Sequence, residues 1–124
     1  MLISSLSYYT GYPGAAAYAA SKDGLAHYAR SLGVALWPQQ RVLTVFPGPT
    51  RTAHARRYSP DNRREGRRMP PEKLAARIFA AQQRGQTILL PAFSARVMAI
   101  IGQTAPRLAE WLMRKTILDR LPAP

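Results

Sequence analysis

The segment Arg41-Val42-Leu43-Thr44-Val45-Phe46-Pro47-Gly48-Pro49 is β-branched and largely apolar until it stops at proline and glycine. A strand with one face in water alternates apolar and polar residues, and this one does not. The pattern predicts a strand buried on both faces, the situation of parallel strands with helices above and below. Upstream, Ala15 to Leu36 is alanine-rich with Leu25, Ala29, Leu32 and Leu36 at helical spacing, and Trp37-Pro38 ends it, which predicts a long helix. Before that helix, Met1 to Ser4 reads as a short strand running into a loop over Ser5 to Gly14.

Downstream, Pro70-Pro71-Glu72 opens a helix with Leu74, Ile78 and Ala81 at i, i+4 and i+7, and Gly85 stands where a helix C′ glycine belongs. Thr87 to Leu90 reads as a third short strand. After Pro91 come a helical segment around Arg96 to Ile101 and a second from about Pro106 to Arg120, with Leu108, Trp111, Leu112 and Leu118 on one side. The order is strand, helix, strand, loop, helix, strand, helix. Such alternation implies βαβ crossovers, hence an α/β fold with parallel strands. A parallel sheet of about three strands has two exposed edges, so the chain reads as part of a larger sheet.

Composition narrows the function. The chain has 124 residues, 47% of them hydrophobic, and carries 18 Lys and Arg against 6 Asp and Glu for a formal charge of +12. That suits one small domain and excludes both a disordered tail and a two-domain enzyme. The absence of cysteine rules out disulfides, thiolate metal sites, iron–sulfur clusters and a cysteine nucleophile. His27 and His54 have too few acids around them to supply a metal ligand set, and no G-x-S-x-G elbow occurs. Met1-Leu2-Ile3-Ser4-Ser5 lacks a basic n-region, and no apolar run approaches the roughly 18 residues of a spanning helix, so the expectation is a cytoplasmic protein.

The residues with chemistry are Tyr18 and Lys22. At i and i+4 on one helix they share a face. A phenol titrates near ~10, and a neighbouring ammonium lowers that value, which would turn such a pair into a general acid/base working near neutral pH. Ser5, thirteen residues before Tyr18 at the end of the first strand, could meet the phenol across a cavity sized for a ketone. Alone, a Tyr-x-x-x-Lys is equally a lysine lying along a surface tyrosine, and a lone serine is equally a turn or cap residue.

Together the residues resemble the short-chain dehydrogenases/reductases through Ser-x12-Tyr-x3-Lys. The resemblance extends over Ser4-Ser5, Gly11-Tyr12-Pro13, Tyr18-Ala19-Ala20-Ser21-Lys22 and Pro47-Gly48-x-x-x-Thr52, each where that family has them. It implies a Rossmann-like, doubly wound parallel sheet and an NAD- or NADP-dependent enzyme that interconverts an alcohol and a carbonyl. Tyr18 would then exchange the proton. Lys22 would tune it and bind the nicotinamide ribose, Ser5 would polarise the substrate oxygen, and Pro47, Gly48, Thr50 and Thr52 would contact the nicotinamide end. Ser7 and Tyr12 would touch substrate. Thr50 departs from the apolar β-branched residue usual there.

No glycine-rich dinucleotide fingerprint of either usual spacing occurs in the sequence. The resemblance is therefore to the C-terminal half of such an enzyme, one partial domain over 1–124: a catalytic part at 1–91 that includes a basic lid at 51–70, then a helical tail at 92–124. The chain alone is expected to be inactive. The lid's arginines from Arg51 to Arg68 could instead form a phosphate-binding arm, which would make the protein a basic module for nucleic acid or a partner protein, but a substrate lid is the favoured reading and nucleic acid the disfavoured partner. The family also implies a homodimer or homotetramer through the alanine-rich helix. The basic amphipathic tail either docks on its own domain or a sister subunit, or rests on an anionic membrane.

Overall fold

The computed structural model describes residues 1–59 and 62–120. Residues 60–61 of the basic segment and the end of the tail at 121–124 lie outside the described residues. In chain order the elements are β1 (Leu2–Ile3), α1 (Ser7–Thr10), α2 (Ala16–Leu36), β2 (Thr44–Val45), α3 (Ala53–Tyr58), α4 (Pro71–Gln83), β3 (Ile88–Leu89), α5 (Phe93–Thr104) and α6 (Pro106–Thr116). Short 3-10 turns occupy Glu65–Arg67 and Leu118–Arg120. The three strands form one parallel sheet in the order β1-β2-β3, an open, partial Rossmann-like arrangement.

The strand predicted from Arg41 to Phe46 is the middle one. Thr44 and Val45 and the flanking Leu43 and Phe46 are all buried, Val45 completely. Successive side chains leave a strand on opposite faces. On one face Leu43 and Val45 pack with Leu89 of β3 and Ala81, Leu74 and Ile78 of α4. On the other, the Phe46 ring lies 5.3 Å from Tyr8 and 5.1 Å from Tyr9 of α1. That side opens into a groove of about 550 Å³ shared with Ala26 and Ala29 of α2. Helices thus cover both faces, as the apolar run requires.

Sequence explains the element ends. The α4 helix starts on Pro71 and closes with Gly85 at φ 64°, its amide donating to the Gln82 carbonyl and the Gln86 amide to the Ala81 carbonyl, the paired bonds of a Schellman turn. The α2 helix buries only Ala19, Ala26 and Ala29, and these small side chains let its backbone come close to the sheet.

Three expectations change in detail. The segment after β1 is not all loop, because Ser5 to Leu6 turns directly into α1. The lid is not a bare loop either: Thr52 caps α3 by accepting a hydrogen bond from the Ala55 amide at 3.0 Å. In the tail, the side of α6 that carries Leu108 and Trp111 faces solvent, and Ala109 makes the inward contact. No helix among the described residues is long and apolar enough to cross a membrane.

Two helical glycines behave oppositely. A Cβ on Gly24 of α2 would meet nothing, whereas one on Gly102 of α5 would run into the Tyr9 carbonyl of α1. Gly24→Ala is therefore expected to raise stability by up to about 1 kcal/mol through helix propensity. Gly102→Ala is expected to lower it by about 1–3 kcal/mol, because backbone cannot yield as a side chain can. Urea unfolding midpoints of the two variants against the parent check both signs.

Candidate active site

The first turns of α2 are fastened to the end of β1 by two bonds. Ser4, only 2% exposed, donates its hydroxyl to the Lys22 carbonyl at 2.8 Å, and the Lys22 ammonium donates to the Ile3 carbonyl at 3.1 Å. The Leu2 and Ser4 amides bond to β2, so the Ile3 carbonyl between them points to the free edge of the sheet. Lys22 caps that edge acceptor. Its Nζ lies 5.9 Å from the centre of the Tyr18 ring, one helical turn earlier, which confirms the shared face that their spacing predicts.

Tyr18 is 39% exposed, and its phenol oxygen has no hydrogen-bond partner among the described residues. The Tyr12 ring stands 6.2 Å from it, edge toward face. Burial pushes the Tyr12 phenol's pKa up, while its hydrogen bond to Ser59 of the lid and the nearby Arg68 charge pull the other way. The oxygen of Ser5 accepts from the Ser7 amide at 3.2 Å, which starts α1, and no hydrogen bond joins Ser5 to Tyr18. Ser7 itself is 6% exposed, its hydroxyl unpaired.

The Pro47-to-Thr52 turn lies beside this group because the Leu6 amide donates to the Pro47 carbonyl at 3.0 Å. The Thr50 hydroxyl donates to the Gly48 carbonyl at 3.1 Å. Thr50 also pairs with Met69, where the lid begins and ends, and Arg51 and Pro49 each exchange a backbone bond with Met69. The lid is thus closed at its base. Within it Arg56 pairs with Glu65 at 2.9 Å, and Arg68, 8% exposed, donates to Ser59 and Asn62.

The structure brings Tyr18, Lys22 and Tyr12 together and sets the Pro47 turn next to Ser5 through Leu6. The groove beside Phe46 has none of Ser5, Tyr18 and Lys22 in its lining. The groove of about 560 Å³ on the neighbouring side of α2 is lined by Gly11, Tyr12, Ala16, Ala19 and Asp23 but by none of the three. Two contributors were not read from the sequence. Ser4, rather than Ser5, is the hydroxyl that holds α2, and the Ser59–Arg68–Asn62 network anchors the lid; the Ser4-Ser5 pair flags two hydroxyls without saying which turns inward.

The family model described as enoyl-(acyl carrier protein) reductase matches residues 1–104, from β1 to the end of α5. This chain belongs to the short-chain dehydrogenase/reductase family, a family of oxidoreductases. Neither a curated protein nor a solved structure matches it.

Two predictions follow from these bonds. Ser4→Ala removes a buried hydrogen bond and is expected to cost about 1 kcal/mol, measured by urea unfolding. Asp23, next on α2, has a buried oxygen without a partner, and desolvation raises its pKa against the lesser pull of His27. A raised carboxyl binds more protons folded than unfolded, so stability is complete at low pH and falls as pH rises through and above the ordinary Asp value of ~3.9. Asp23→Asn should raise the unfolding midpoint at neutral pH and leave it nearly unchanged near pH ~3.

Proposed function

We propose that this chain carries the proton-transfer half of an NAD- or NADP-dependent oxidoreductase that interconverts an alcohol and a carbonyl. The observation that carries the reading is Lys22. Its ammonium is held at the end of β1 by the Ile3 carbonyl while lying 5.9 Å from the centre of the Tyr18 ring, so the helix presents a phenol on the same face as a fixed positive charge.

The residues fit the nicotinamide end of a dinucleotide and not its pyrophosphate. A positive Nζ at a sheet edge suits ribose hydroxyls. The Pro47-Gly48 turn, joined to the turn after β1 through Leu6, presents backbone to a flat amide, with Thr50 holding the turn's shape. Thr52 uses its hydroxyl to cap α3 and would contribute through backbone. For the pyrophosphate the sequence offers no glycine-rich turn at a helix start. When bound, NAD or NADP supplies or takes the hydride.

The chain's own residues manage the proton. In reduction, the Tyr18 phenol donates its proton to the substrate oxygen as negative charge builds there; in oxidation it takes the proton back. Lys22 lends positive charge to the oxygen that gives up the proton. Ser5 orients the substrate oxygen after exchanging its bond with the Ser7 amide. Tyr12 and Ser7 border the substrate, and the lid from Thr50 to Met69 covers it, with Arg56 engaged within it by Glu65 and Arg68 by Ser59 and Asn62. The exposed Ala16, Ala17, Ala20 and Gly24 of α2 suit close approach by the same helix of a second copy, which supports a homodimer or homotetramer.

The test has two arms. Nicotinamide mononucleotide titrated into the labelled chain should shift the NMR signals of Lys22, Gly48 and Thr50, and Lys22→Ala should abolish the shifts; no shift at millimolar ligand overturns the reading. The chain alone should give no nicotinamide-dependent turnover. Supplied with a polypeptide bearing the glycine-rich strand–turn–helix, it should turn over alcohols, and Tyr18→Phe should then lower kcat by about 10²–10⁴-fold.

A further inference from the structure

The outer side of α6 is exposed where a docked tail would be covered. Ala109 is 2% exposed and holds the helix to the domain, whereas Leu108, Trp111 and, in the following turn, Leu118 are 46%, 55% and 46% exposed. Leu108 and Trp111, at i and i+3, form a line on one side of α6, and Leu118 lies past the helix end at Ile117, on the rim of the groove that it shares with Tyr12 and Ala19. Arg107, Arg114 and Lys115 flank or interrupt that line, and of the two acids nearby Asp119 is already taken by Lys115 at 2.9 Å and Arg114 at 3.6 Å. From these observations we infer that the α6 face binds the surface of an anionic lipid bilayer, the helix lying in the plane of the headgroups.

Charge selects this occupant over a second copy. A second copy on this face would bring two chains of formal charge +12 together, Arg107, Arg114 and Lys115 of each included. Lipid phosphates complement the same groups. Leucine side chains reach the acyl boundary, the Trp111 ring suits the headgroup level, and the arginine and lysine stems can lie along the helix while their heads stay in water. The helix has 11 residues, enough to rest on a bilayer and too few to span it. The inference does not rest on the oxidoreductase reading.

Charge alone would adsorb such a protein to any anionic surface, so the test isolates the apolar line. The chain carrying Trp37→Phe, which leaves Trp111 as its fluorophore, is sedimented with vesicles of phosphatidylcholine and with vesicles containing equal phosphatidylglycerol. The expected result is partition into the anionic vesicles with a blue shift of Trp111 emission. Leu108→Ser with Leu118→Ser should weaken partition by about 100-fold, at about tenfold per apolar side chain. Arg107→Ser should weaken it about fivefold. Arg56→Ser with Arg57→Ser in the lid should change it less than Arg107→Ser does. Binding that survives loss of both leucines, or an unshifted Trp111 emission, overturns the proposal. So does a dimer that dissociates in the leucine variant without any vesicle binding, which assigns the face to a second copy. Since all the altered side chains are solvent-exposed, unchanged far-ultraviolet circular dichroism verifies the fold.

Discussion

A single short strand buried on every side organises the molecule. β2 bonds to β1 along one edge and to β3 along the other, with the Thr44 and Phe46 amides reaching the Thr87 and Leu89 carbonyls at 2.9 Å. Its faces press on α4 on one side and on α1 and α2 on the other. Backbone groups that cannot reach water must pair, and side chains that cannot reach water must be apolar or small. Those two demands together leave no freedom for β2, and the remaining elements are placed relative to it.

The candidate site is a consequence of that placement. Strands β1 and β2 are parallel, so their C-terminal ends lie side by side, and the bond from the Leu6 amide to the Pro47 carbonyl joins the turn after one to the turn after the other. Ser5 sits in the first turn and Gly48 in the second. The α2 helix then descends from the same end, with Tyr18 and Lys22 in its first two turns. The bonds of Ser4 and Lys22 to each other's strand and helix fix the azimuth of α2, which is why the lysine reaches the strand end with the half-exposed tyrosine one turn before it.

The edge of β1 explains the double duty of Lys22. An open sheet edge exposes unpaired carbonyls, and a lysine reaching over it both satisfies one and discourages pairing with another chain. The same positive charge is therefore a structural cap and the partner of Tyr18. Elsewhere the molecule leaves apolar surface uncovered, as on Trp37, Phe79 and Phe93, and a high like charge is the force that keeps such surface from associating indiscriminately.

Local rules in the sequence determined much of this. The doubly buried strand, the α2 helix, the Pro71 start and Gly85 stop of α4, and the Tyr18–Lys22 face follow from periodicity and backbone chemistry acting over a few residues. Tertiary contacts decided the rest. Which of two adjacent serines turns inward depends on where the Lys22 carbonyl lies, and the outward turn of Leu108 and Trp111 depends on Ala109 fitting against the domain more closely than either could. Such outcomes balance hydrogen bonds and packing between segments far apart in the chain, and no spacing within one segment encodes them.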